Sequence, residues 1–236
     1  MLYDSKNSII ETLSSELTVE KVIIQKGLYD GAIKKIINLA KDKKVRIDYA
    51  EKAVLDRLSK QHQGAIMFAT EYNYFDLEEI LNQPAPLMVV ILDSITDPHN
   101  LGSVIRVAEC AGASGIVIPK RNSATVNDTV MRISAGAASH VKIAQVNNIN
   151  DAIRKLKDRG VKVLATDATG DSVYNEDMLT DIAFVIGSEG EGLHKLTREL
   201  SDKIVSLPQF GKINSLNASV ATGIFLYEAA RQRFIK

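Results

Sequence analysis

From residue 87 onward, six short apolar runs recur, at 87–92, 115–118, 141–145, 161–166, 182–186 and 203–207. Several show little period-two alternation, as expected of strands covered on both faces. Segments of helix length, 100–111, 127–137, 150–159 and 194–200, lie between most of them. Strand and helix taking turns predicts an α/β fold, a parallel sheet with helices on both faces. Residues 217–234 then read as a long terminal helix.

The first seventy residues carry a different rhythm. Helical patterns at 7–17, 31–43 and 51–58 alternate with extended ones at 21–25, 45–48 and 65–69. In the second helix Ile33, Ile36, Ile37 and Ala40 form one apolar stripe. This predicts a small α/β domain at 1–70. Residues 71–86 turn acidic and end in Pro84-Ala85-Pro86, which bars a continuing helix and reads as a connection to a main domain at 87–236. A length of 236 residues suits such a pair, because one domain averages ~150.

Composition narrows the function. The single Cys110 permits neither an internal disulfide nor a cysteine zinc cluster, and fits a reducing compartment; it reads as a small core residue. The four histidines lack metal-ligand spacing, so no metal is expected. No apolar run approaches the ~20 residues of a membrane span, and residues 1–11 do not resemble a signal peptide, so a cytoplasmic location is expected. The 29 Lys+Arg balance 29 Asp+Glu, which argues against coating nucleic acid through bulk charge. Residues 21–60, however, hold eleven Lys/Arg against five Asp/Glu. That excess is either a basic patch or a solvated helix face.

Three segments after buried strands could carry chemistry. In Asp97-Pro98-His99-Asn100, an N-cap and a first-turn proline start a helix at the carboxyl end of a strand, where open α/β sheets place ligands. Gly102 and Arg106 share a face of that helix, so either another chain or a ligand approaches there, or Arg106 simply pairs with Glu109. In Ile186 to Leu193, Gly187, Gly190 and Gly192 permit a sharp turn with free amides and carry Glu189 and Glu191. The spacing departs from the dinucleotide fingerprint G-x-G-x-x-G. The third segment, 207–223, leaves a strand at Leu207-Pro208 and reaches Ser215 and Asn217, which also read as helix caps. Gly211-Lys212 lacks the partners of a phosphate loop, so ATP hydrolysis is not expected.

Together these segments stand in the order and spacing of the three motifs of the SpoU family, within the SPOUT superfamily of RNA methyltransferases, and residues 87–234 resemble its catalytic domain throughout. Residues 1–70 are similar to the small domain, related to ribosomal protein L30e, that precedes it in the ribosomal RNA guanosine 2′-O-methyltransferases. The stretch VSLPQFGKINSLNASVATGIFLYEAARQR is especially close to that subgroup. Asp4 departs from it, because glycine usually follows the tyrosine there.

The resemblance implies S-adenosyl-L-methionine as cofactor, contacted largely through backbone at Gly187, Leu207 and Leu216. Asn100 and Arg106 match the polar pair of the first motif, Glu189 the acid of the second, and Ser215 and Asn217 the polar pair of the third. It also implies a trefoil knot and a homodimer with its active site at the interface. The expected reaction is 2′-O-methylation of a guanosine in 23S ribosomal RNA. The alternatives are the same reaction on tRNA, and a non-catalytic RNA-binding or ribosome-assembly factor. A nucleotide-dependent dehydrogenase fails on the glycine spacing.

Overall fold

The computed structural model describes residues 1–15, 19–69, 72–188, 190, 192–212 and 215–234. In chain order the elements are β1 (Leu2–Tyr3), α1 (Lys6–Ser14), β2 (Val19–Gln25), α2 (Gly31–Asp42), β3 (Arg46–Ala50), α3 (Lys52–Leu58), β4 (Ala65–Ala69) and α4 (Leu77–Leu81). They continue with β5 (Met88–Leu92), α5 (Pro98–Cys110), β6 (Gly115–Pro119), α6 (Asp128–Ile133), β7 (Ile143–Val146) and α7 (Ile149–Asp158). The last are β8 (Lys162–Ser172), β9 (Ile182–Ile186), α8 (Lys195–Leu200), β10 (Lys203–Ser206) and α9 (Ala218–Phe234). Two compact units result, Met1–Asn73 with Val126–His140, and Tyr74–Thr125 with Val141–Lys236.

The first unit holds a four-stranded sheet in the order β1-β4-β2-β3, with β3 parallel to β2 and the other pairs antiparallel. Helix α2 starts where Asp30 accepts a hydrogen bond from the Ile33 amide at 2.9 Å. Ile33, Ile36 and Ala40 of its stripe are fully buried and Ile37 is half-buried. Each buried isoleucine contributes roughly 1.5–3 kcal/mol. The expected end of α1 at Leu17 lies outside the described residues.

The segment 126–140 departs from the sequence-based partition, which placed it in the main domain. Helix α6 buries only Val130 and Met131 and is held in the first unit by polar contacts. Asp128 Oδ1 accepts from the Leu2 amide at 2.8 Å, and His140 Nε2 lies 2.7 Å from Glu11 Oε2.

In the second unit six parallel strands follow the order β10-β8-β9-β5-β6-β7. The chain steps outward from β5 to β7, crosses to β8, and inserts β9 beside β5. Every residue of β5 and β9 is buried, the pattern of strands covered on both faces. One side packs Val89, Ile91 and Val185 against Ile153 and Leu156 of α7. The connection predicted at 71–86 contains α4, whose Leu77, Ile80 and Leu81 enter this same core. On α9, Phe225 meets Phe184 of β9 with ring centroids 5.6 Å apart.

The edge pair β8–β10 is interrupted. Lys203 and Ile204 pair with Leu164 and Ala165, but Val205 and Ser206 pair with Asp171 and Ser172. Residues 166–170 therefore leave the ladder at the carboxyl end of the sheet. Among the described residues no helix is long and apolar enough to cross a membrane.

Candidate functional site

Three chain turns meet at the carboxyl ends of β8, β9 and β10. The first leaves β9 at Gly187. A Cβ there would lie 2.5 Å from the Gly192 carbonyl carbon and 2.8 Å from the Leu193 nitrogen, so only glycine lets the turn fold back on itself. The Gly192 amide closes it by donating to the Ser188 carbonyl at 3.1 Å, with Gly192 at φ +69°. Beyond the turn, buried Asp93 at the end of β5 accepts from Thr197 Oγ1 at 3.1 Å and lies 3.0 Å from His194 Nδ1. The start of α8 is thus tied to the central strand.

The second turn is the stretch expelled from the β8 ladder. Asp167 accepts from the Thr169 amide at 2.9 Å and its hydroxyl at 2.6 Å, and pairs with Arg198. Burial alone would raise its pKa, but the Thr169 hydrogen bonds and the Arg198 charge outweigh that and hold it below the usual carboxylate range. It stands ionised at neutral pH.

The third turn follows β10. Ser206 Oγ donates to the Gly170 carbonyl at 2.8 Å, anchoring the strand end to the expelled stretch. Asn217 opens α9 by accepting from the Ser219 amide at 3.0 Å, so its reading as a cap holds. Its Nδ2 also donates to Asn100 Oδ1 on α5 at 2.9 Å, joining residues 117 positions apart. Asn100 is placed for this by Asp97, which caps α5 by accepting from the His99 amide at 3.0 Å.

These turns enclose a cavity of about 340 Å³, within the size range of small-molecule sites. Of the residues expected to bind cofactor, Gly187, Leu207 and Leu216 all line it, and so does Ser215. Asn100 and Asn217 are joined to each other and do not line it. Arg106 does not line it either. It stands exposed on α5 and forms no hydrogen bond or ion pair among the described residues, so the pairing with Glu109 considered above does not form. Glu189 lies outside the described residues. Cys110, expected in the core, is exposed: it is the last residue of α5 and lies off the buried stripe formed by Leu101, Val104, Ile105 and Ala108. Partial desolvation of its sulfur and the neighbouring Glu109 raise the thiol pKa, which disfavours a reactive thiolate.

Sequence reasoning missed Thr166, Asp167 and Ala168, which form a whole wall of the cavity. Their run is polar and unpatterned; Gly170 within it was the available signal. Among the described lining residues Asp167 is ionised and no lysine or arginine contributes. The exposed backbone of a glycine turn suits a polar, nucleoside-sized body.

Comparison with known proteins identifies the family. Residues 87–227 match the model of the SpoU rRNA Methylase family, and residues 6–75 match that of the RNA 2′-O ribose methyltransferase substrate-binding domain. A Bacillus subtilis protein assigned to the TrmH family of tRNA/rRNA methyltransferases, YacO, is 39% identical over 97% of this chain and 94% of its own length. The SpoU methyltransferase AviRb from Streptomyces viridochromogenes superposes with a TM-score of 0.86 at 27% identity, over 99% of this chain and 89% of that one. An S-adenosylmethionine-bound rRNA methyltransferase from Sinorhizobium meliloti shares the fold, with a TM-score of 0.84 at 24% identity over 100% of this chain and 88% of that one. The chain belongs to the SpoU family of RNA methyltransferases.

Proposed function

We propose that this protein is a cytoplasmic enzyme that methylates the 2′-hydroxyl of a guanosine ribose in 23S ribosomal RNA, using S-adenosyl-L-methionine. The observation that carries the reading is the convergence of Gly187, Leu207, Ser215 and Leu216 on one cavity. The cavity fits this cofactor in size and in its glycine-built wall. When bound, S-adenosyl-L-methionine supplies an electrophilic methyl on a sulfonium. Backbone groups of Gly187, Leu207 and Leu216 would hold it.

A ribose hydroxyl is a very weak acid, so its negative charge must be held as the proton leaves. Arg106 performs that role. Guanidinium stays protonated in proteins, so it acts by charge and by orienting the adjacent phosphate rather than as a base. Asn100, Ser215, Asn217 and Glu189 position the ribose and the loops.

Arg106 lies outside the cavity lining of its own copy, which supports a homodimer in which the arginine of one copy serves the cavity of the other. Helix α9 offers the surface: Val220, Tyr227 and Phe234 are exposed at seven-residue spacing, a single apolar stripe. The same family reading makes the carboxyl-terminal part a trefoil knot, with the segment after β10 threaded through a loop. The domain at 1–70 presents the RNA, and 71–86 connects it to the catalytic part at 87–236.

Arg106→Ala is expected to abolish methyl transfer while the dissociation constant for S-adenosyl-L-methionine stays within a few fold. A variant that simply lost cofactor would overturn the assigned role, and Arg106→Lys separates charge from fork geometry. Mapping ribose methylation in RNA from cells with and without this protein identifies the nucleotide. A missing mark confined to tRNA moves the substrate there. Loss of none supports the non-catalytic alternative.

A further inference from the structure

Two tyrosines of the first unit face solvent at one end of its sheet. Tyr49 sits next to last on β3, the edge strand, and is 48% exposed; Tyr29 follows the turn that leaves β2 and is 69% exposed. The two strands are parallel, and the Lys26 amide donates to the Ala50 carbonyl at 2.8 Å, so the turn and the end of β3 lie side by side. Tyr49 pairs with Ile24, which places it on the sheet face opposite Ile23 and its α3 neighbour Leu55. Helix α2, which begins directly after Tyr29 and its cap Asp30, packs beside β3.

The charges around this end are uneven. Asp30 is taken up by Lys6 and by the α2 amides, and Glu51 pairs with Lys26 at 3.1 Å. Lys34 and Lys52 are exposed and form no ion pair among the described residues. Two open aromatic rings, each with an uncommitted lysine within five residues along the chain, are the combination that takes single-stranded nucleic acid. Ring faces stack on unpaired bases and ammonium groups meet the phosphates.

We propose that Tyr29 and Tyr49 form a stacking platform for unpaired bases of the RNA substrate, with Lys34 and Lys52 holding the flanking phosphates. The inference rests on the reading above that the chain acts on RNA, and adds which surface selects single-stranded over paired segments.

The chain contains no tryptophan, so Tyr29→Trp and Tyr49→Trp each introduce a sole indole reporter. The probes are a short single-stranded oligoadenylate, unmodified 23S ribosomal RNA made in vitro, and a fully paired RNA duplex. Indole emission is expected to fall on adding the first two and to stay unchanged with the duplex. Tyr29→Ala and Tyr49→Ala should each weaken oligoadenylate binding by about tenfold. Tyr→Phe at either position should keep wild-type affinity, and cofactor affinity, read in parallel, should not move in any of these variants. Unquenched indoles, wild-type affinity in the alanine variants, or a loss equal in the phenylalanine variants overturns the platform. Alanine variants that bind and methylate RNA as the wild type does defeat this inference alone. A wild-type protein that neither binds nor methylates RNA defeats the proposed function with it.

Discussion

Replacing Gly187 with alanine is the sharpest structural test of the cofactor cavity. The added methyl would sit 2.5 Å from the Gly192 carbonyl carbon and 2.6 Å from its oxygen, both backbone atoms that cannot rotate aside. Restoring an ordinary 3.4 Å contact requires the 188–192 turn to retreat by about 0.9 Å. Overpacking of this kind costs ~1–3 kcal/mol, a fall in Tm of roughly 2–12 °C in a chain of this size. Because the displaced turn is one wall of the cavity, S-adenosyl-L-methionine affinity should drop by about tenfold, the equivalent of about 1.4 kcal/mol. Titration calorimetry with the cofactor and a thermal melt read the two effects separately. Arg106→Ala, which touches neither wall nor turn, serves as the contrasting variant that keeps affinity. If Gly187→Ala melts and binds cofactor as the wild type does, the turn is not held where the structure has it and the argument for the cavity fails.

Three further outcomes are expected. Glu176, with its side chain only 6% exposed, is held by Lys203 and by Lys162 at 2.9 Å, and these hydrogen bonds outweigh burial and lower its pKa. Glu176→Gln should cost ~1–2 kcal/mol near neutral pH, less than for a fully buried pair because water reaches both lysines. A lowered folded pKa means the contribution is present above the ordinary carboxylate value of 4.5 and disappears as pH falls through the folded one. Urea melts of wild type and variant should therefore converge in acid; a constant gap would contradict the assignment. Asn100→Ala and Asn217→Ala should be non-additive by ~0.5–1.5 kcal/mol in a double-mutant cycle, with Asn217→Ala the costlier single change because it also removes the α9 cap. Strict additivity would mean their bond carries no energy. Tyr227→Glu should convert the proposed dimer to a monomer in sedimentation velocity, and an unchanged mass would remove α9 from the interface.

How far the sequence reaches can be judged element by element. Strand β9 lies at 182–186 as its unbroken apolar run indicates, and α5 begins where Asp97 and Pro98 announce it. Helix α4 escaped notice because it is short and sits in an acidic stretch, although Asp76 and Glu79, whose side chain accepts from the Asp76 amide at 2.9 Å, are a local start signal. The outer half of β8 has no apolar pattern at all. It forms because Val205 and Ser206 find Asp171 and Ser172 across the edge, a pairing invisible to any local window. Of the motif residues named from resemblance, Gly187, Leu207, Ser215 and Leu216 line the cavity and Arg106 does not.

Residue order alone determined which stretches become strand or helix, because periodicity, caps and breakers act within a few neighbours along the chain. Strand order, the expelled 166–170 wall, the transfer of 126–140 to the first unit and the bond between Asn100 and Asn217 were decided only on folding. Each joins groups separated by tens of residues or more. Which such partners meet depends on the collective packing of many side chains, for which no short run of sequence carries a separate signal.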